Sequence, residues 1–129
     1  MTASRLKNAS VQIEDLLKEY DIRLRPSFGG AVLYHDKIFI IGGSNGITSL
    51  TSVEIFDPIT NEWLTNLNSV PNVLNMPRVG LGVTVCCDKI YVTGGFDGRT
   101  FLKSTEIYDE NTQQWHLTYN NINKSDKKI

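Results

Sequence analysis

The sequence is poor in cysteine: it has only two, and they are neighbours, Cys86 and Cys87. Adjacent cysteines cannot staple distant segments, so a disulfide scaffold of the exported kind is excluded. Charge of one sign is also missing. Thirteen Lys and Arg against 14 Asp and Glu leave a net charge of −1, without the basic excess of a dedicated nucleic-acid binder or a polybasic membrane-surface protein. No apolar run approaches the roughly 18 residues of a spanning helix. The opening Met1-Thr2-Ala3-Ser4-Arg5 lacks the apolar stretch of a secretory leader. The expected location is therefore cytoplasmic, with neither nucleic acid nor membrane as partner. What is present is ordinary for a globular chain: 129 residues, 40% hydrophobic and 21% charged, one domain's worth of core-forming material.

The chain repeats itself at an offset of 52. Residues 25–63 laid on 77–115 give 15 identities in 39 ungapped positions. Gly42-Gly43 falls on Gly94-Gly95, Asp36-Lys37-Ile38 on Asp88-Lys89-Ile90, and Trp63 on Trp115. Self-similarity at this period is the mark of a repeat architecture. Each copy reads as four strands. A short apolar run (30–34; 82–86) is followed by a two-residue turn and a β-branched, aromatic run (37–41; 89–93) that ends at the double glycine. An alternating run follows at 52–56 or 104–108, then a turn opened by Asp57 or Asp109, then a strand starting at Trp63 or Trp115.

A double glycine ending the second strand, with an aromatic and a tryptophan separated by six residues downstream (Phe56 and Trp63; Tyr108 and Trp115), resembles the kelch repeat. Pro77-Arg78 opens the second unit as that family expects, whereas the first has the order reversed as Arg25-Pro26. Residues 76–83 with 94–98 are most similar to the kelch-like (BTB-BACK-kelch) adaptor branch. The resemblance implies an all-β fold of two four-stranded antiparallel blades of a β-propeller, an incomplete ring, preceded by a short N-terminal helix. The implied boundaries are an amphipathic helix and linker over 1–24, kelch repeats over 25–68 and 77–119, an extended inter-blade loop over 69–76, and a disordered polar tail over 120–129. The structural motif residues are Gly42, Gly43, Phe56, Trp63, Gly94, Gly95, Tyr108 and Trp115, the large aromatics filling space between blades.

Propellers close with about 4–8 blades, and two are present. A two-blade stack is expected to leave a broad apolar sheet face bare at each end. Three readings stand: a fragment or truncated paralogue, self-association of two-blade chains into a ring, or a degenerate remnant. Upstream, Ile13, Leu16, Leu17 and Tyr20 mark one face of a helix over 9–20, capped by Ser10. This segment either resembles the final helix and linker of a BACK region or covers an exposed blade face.

No catalytic constellation is visible, and neither a metal nor a cofactor is expected: His35 and His116 are isolated in sequence. Cys86 and Cys87 close a strand, where one thiol is expected inward and one outward. Glu54 and Glu106 hold the same slot in two repeats, which explains their recurrence structurally. Propellers of copper-oxidase type are similar in blade pattern alone. The Asn8 and Asn123 sequons read as coincidental.

Recognition belongs on loops carried by a rigid sheet scaffold. The resemblance places 44–51, 96–103 and the connection 66–79 on one face. The candidate ligand-binding residues are Asn45, Arg78, Phe96, Arg99, Phe101 and Lys103: arginine suits carboxylates, and aromatics suit peptide capture. The implied role is a non-enzymatic protein-interaction module, the substrate-recognition part of a cullin-type ubiquitin-ligase adaptor. Its partner would be a protein substrate or acidic peptide, with the cullin reached only through a BTB domain not found in this sequence. The alternatives are an actin-binding kelch protein or a truncated, non-functional paralogue. The stretch between Trp63 and Met76 is longer than the resemblance predicts, and is expected to enlarge a loop on the binding face.

Overall fold

The computed structural model describes residues 13–20, 29–64 and 71–119. The Ser10 cap, the Arg25-Pro26 pair and the polar tail lie outside the described residues. Helix α1 spans Ile13–Glu19. Four strands follow, β1 (Gly30–Tyr34), β2 (Lys37–Ile41), β3 (Val53–Asp57) and β4 (Glu62–Trp63). Then come β5 (Gly82–Cys86), β6 (Lys89–Thr93), β7 (Ser104–Asp109) and β8 (Gln114–Tyr119). They form two antiparallel sheets, each meandering in chain order, β1-β2-β3-β4 and β5-β6-β7-β8.

The register follows from the turns. Both β1–β2 and β5–β6 are joined by two residues with left-handed backbone, His35 and Asp36 (φ 47 and 64) and Cys87 and Asp88 (φ 55 and 64). Such turns match the twist of the strands they connect. The third connection is held by its aspartate: Asp57 Oδ1 accepts from Ile59 N at 3.0 Å, and Asp109 Oδ1 from Asn111 N at 3.0 Å. This is the local carboxylate–backbone bonding that makes aspartate a turn opener.

The two faces of blade 1 are buried by different things. Ile38, Ile40 and Phe56 pack beneath Leu16 of α1, with Ile13, Leu17, Tyr20, Ala31 and Leu33 around them. The opposite face, with Tyr34, Phe39 and Ile41, packs on Ile90, Val92, Tyr108 and Trp115 of blade 2, together with Leu74. Four aromatic rings meet there, with Phe39–Tyr108 at 5.3 Å and Tyr108–Trp115 at 5.0 Å, both tilted or edge-on, the arrangement that aromatic quadrupoles favour.

Two expectations are corrected. Phe56 lies under the helix and not between blades, and Trp63, edge-on to Phe56 at 5.1 Å, stays 49% exposed. Nor does the stack end in two bare apolar faces. The helix covers one. On the other, Thr84, Tyr91, Thr93 and Thr105 of blade 2 stand where blade 1 has Val32, Phe39, Ile41 and Val53. Thr93 and Thr105 face each other across β6 and β7 with their hydroxyls 3.0 Å apart. The shape of an inter-blade face is kept while its atoms gain polar character.

Candidate functional site

Two loops of equal construction rise from the glycine doublets. In the first, Asn45 Oδ1 accepts from Ile47 N (2.8 Å) and Thr48 N (2.9 Å), and Leu50 N closes the base on Gly43 O (2.7 Å). In the second, Asp97 Oδ1 accepts from Arg99 N and Thr100 N, each at 2.8 Å, and Leu102 N closes on Gly95 O (2.7 Å). The Thr100 and Arg99 amides hold the Asp97 carboxyl below the usual carboxylate range. The Ser49 hydroxyl donates to Phe96 O at 3.2 Å, so the loops of the two blades are tied into one surface. From it Ile47 projects 87% exposed and Phe101 82% exposed, with Arg99 and Lys103 also in solvent.

The candidate residues therefore divide. Phe101, Arg99 and Lys103 are accessible. Phe96 is half-buried, its ring tilted on Phe101 at 5.1 Å and its backbone bridged to both Val79 and Phe101. Asn45 is exposed, but its side-chain oxygen is committed to the turn. Ile47, which composition and resemblance did not single out, occupies the most exposed apolar position of the platform.

Arg78 is the clear departure from expectation. It has no solvent exposure, so it cannot reach a ligand at the mouth. Its Nε lies 3.1 Å from Glu106 Oε2. Nη1 donates to Gly94 O (2.9 Å) and Ser104 O (3.0 Å), and Nη2 to Ser104 Oγ (2.7 Å). A buried charge persists only when paired and hydrogen-bonded, and each of the three Arg78 guanidinium nitrogens has a partner. The four glycines of the doublets all have positive φ. At Gly42 a Cβ would also lie 2.7 Å from Arg78 O, so only glycine allows the Arg78 backbone to approach the first doublet this closely.

The long connection does not enlarge the loop platform over its described part, 71–76. It threads between the blades. Leu74 is buried, and its N–H donates to Thr51 O at 2.9 Å. Asn72 accepts from Trp115 Nε1 (2.8 Å) and donates to Tyr108 Oη (3.2 Å). Asn75 N and Nδ2 donate to Glu106 Oε1 at 2.6 and 3.0 Å, and Met76 N donates to Oε2 at 3.0 Å. The clue in the sequence was the need of a buried Trp N–H and a buried carboxylate for partners, which two asparagines in the insertion meet.

At the opposite edge His35 crosses the blade interface. Its Nδ1 lies 2.6 Å from Glu110 Oε2 and its Nε2 2.6 Å from Asp88 Oδ1, while its ring stacks on Tyr34 at 3.9 Å. Tyr34 Oη donates to Asp88 O at 2.8 Å. The Asp88 and Glu110 carboxylates raise the His35 pKa above its ordinary value. Burial first, then the Glu110 and Asp88 charges, push Tyr34 up to about 12. The two carboxylates bind opposite ring nitrogens, so they do not converge as a metal set. No cluster of three potential metal ligands occurs among the described residues. A cavity of about 210 Å³ opens here, lined among others by Cys87, Asp88, Lys89, Tyr108 and Asn111.

With doublet, Trp and loop geometry repeated in both sheets, the Kelch motif matches residues 25–65 and 77–117. The chain belongs to the kelch-repeat family. It is 36% identical over 85 residues to a Caenorhabditis elegans kelch repeat-containing protein, kel-10, covering 66% of this chain and 14% of that protein. It is 37% identical over 90 residues to Kelch-like protein 7 of Rattus norvegicus, covering 67% and 14%. A putative F-box/kelch-repeat protein of Arabidopsis thaliana is 34% identical over 90 residues, covering 70% and 23%. The solved structure of YjhT superposes with a TM-score of 0.55 at 20% identity over 70% of this chain and 36% of that one, a likeness of fold. The chain thus spans 14–23% of the length of these curated relatives. Kelch repeats build protein-interaction modules, and both kelch blades here present loops suited to that task. Among the described residues no helix is long and apolar enough to cross a membrane.

Proposed function

We propose that the kelch pair is a binding module that captures a protein segment on the platform of loops 44–51 and 96–103. It would serve as part of the substrate-recognition surface of a cytoplasmic, BTB-kelch type ubiquitin-ligase adaptor. One observation carries the reading: Ile47 and Phe101 stand 87% and 82% exposed on loops whose backbones are locked by their own Asn45 and Asp97. Large apolar side chains held out into water on pre-ordered loops favour a partner that buries them, because little ordering entropy remains to be lost. Arg99 and Lys103 flank Phe101, so the matching segment carries an apolar anchor beside a carboxylate. Relatives whose names include Kelch-like and BTB support the adaptor context.

The test is a display selection of peptides against the full chain, followed by titration of the selected peptides against variants. Apolar, acidic peptides should be enriched. I47S/F101S should weaken them at least about tenfold, or about 1.4 kcal/mol, with R99E acting in the same direction and the unfolding midpoint unchanged. Binding indifferent to all three substitutions overturns the reading. Co-sedimentation of the chain with filamentous actin, unaffected by the selected peptides, would favour the actin-binding alternative.

A further inference from the structure

We propose that Cys86 and Cys87 form a vicinal dithiol that closes to a disulfide by exchange with a small disulfide of the oxidised-glutathione class, at the turn that latches blade 2 to blade 1. The sequence reading placed one thiol inward and one outward. Instead both are exposed, and their sulfurs lie 3.3 Å apart. The reason is local. Successive side chains of a strand point to opposite faces, but β5 ends at Cys86, and Cys87 turns into the left-handed region at φ 55. That turn breaks the alternation and swings both sulfurs together.

Access and order of attack follow from the same geometry. Cys87 is exposed at the edge of the 210 Å³ cavity beside Asp88 and Lys89, so a small disulfide can reach its sulfur from solvent. The two thiols share a hydrogen bond in which either sulfur can donate, and the Cys87 contact holds the Cys86 proton to higher pH than an ordinary thiol. Because it is Cys87 that lines the cavity, Cys87 is the attacking sulfur and Cys86 the resolving one. Cys87 thiolate attacks one sulfur of the small disulfide, whose S–S bond breaks, and the leaving thiolate takes up a proton. Cys86 then loses its proton and attacks the Cys87 sulfur, expelling the second small thiol. Two protein thiols are oxidised, and one small disulfide is reduced to two thiols.

Closure must shorten 3.3 Å to about 2.05 Å. Neighbouring Cα atoms are about 3.8 Å apart, shorter than the roughly 4.4–6.8 Å of ordinary disulfides. The bond formed is strained and easily reduced, a reversible modification and not a staple. Its strain falls on the turn whose Asp88 takes the Tyr34 hydroxyl and the His35 ring from blade 1, so the redox state of the pair reaches the blade interface.

The test equilibrates the full chain with reduced and oxidised glutathione at several ratios, blocks free thiols by alkylation and reads the peptide carrying Cys86 and Cys87 by mass spectrometry. The expected product lacks two hydrogens and carries no adduct, is restored by dithiothreitol, and forms at an oxidised fraction about tenfold lower than in the urea-unfolded chain. C86S should stop at a glutathione adduct on Cys87. Amide exchange at 34–36 should speed up on oxidation. Two alkylated thiols at every ratio, a wild-type protein that stops at the adduct, closure equally easy in urea, or closure without change at 34–36 would each overturn the proposal.

Discussion

Arg78 and Glu106 form an ion pair with no solvent exposure on either side chain, and the pair fastens one kelch blade to the next. The backbone of Arg78 belongs to blade 1, where Gly43 N donates to Arg78 O at 2.7 Å and Arg78 N donates to Leu50 O at 3.1 Å. Its side chain belongs to blade 2. Removing one partner of a buried pair leaves the other charge uncompensated. R78A should therefore cost about 3–5 kcal/mol in denaturant unfolding of the full chain. R78K should fall between, since a single ammonium cannot reproduce the planar fork. A stability unchanged by R78A would show that the buried pair does not fasten the blades.

Ser52 and Ser104 are the same repeat position with opposite circumstances. Ser104 Oγ accepts from Arg78 Nη2, whereas Ser52 Oγ is buried without a partner among the described residues. The position matching Arg78 in the first repeat is Pro26, which offers no side-chain donor. S104A should destabilise and S52A should stabilise, each by about 1 kcal/mol. Unfolding free energies of the two variants that move in the same direction would contradict this account.

The His35 latch gives a pH dependence of defined sign. Folding brings the imidazole between Asp88 and Glu110, which raises its pKa above the ordinary 6.5. The other titratable groups nearby are Lys37, Tyr34 and Tyr108 around the adjoining cavity, and Asp109 and Lys89 beyond Asp88. A group whose pKa is raised on folding contributes stability that is fully present below its unfolded value. That contribution is lost as pH rises through the folded value. The stability difference between wild type and H35Q should be largest below pH 6.5 and shrink with increasing pH. A difference constant across the titration would rule out the charged latch.

Asn72 carries the inserted segment. N72A would leave Trp115 Nε1 without its acceptor in a buried site and should cost about 1–3 kcal/mol. Equilibrium unfolding should show the loss, with a shift in tryptophan emission as the indole environment changes. A fully stable N72A would mean that residues 71–76 sit on the blades without holding them.

Much of the fold was legible because its determinants are local. The offset of 52, the glycine doublets and the aspartate-opened turns are set by backbone conformations available within a few residues. Each strand accordingly starts within a residue of the position the repeat predicts. The platform loops were also legible, since Asn45-Gly46 and Asp97-Gly98 announce their turns. Arg78 was misread because a charged residue at a loop junction looks solvated until a second element brings a carboxylate and carbonyls to it.

The sequence by itself determined that this chain is a pair of kelch blades, for alternation, glycine and turn chemistry act along the chain. Only the tertiary structure decided which polar groups are spent inside. The environments of Arg78, Glu106, Asn72 and His35 are made by partners 16 to 75 residues away in sequence, and burial, not residue type, makes a charge structural or free to bind.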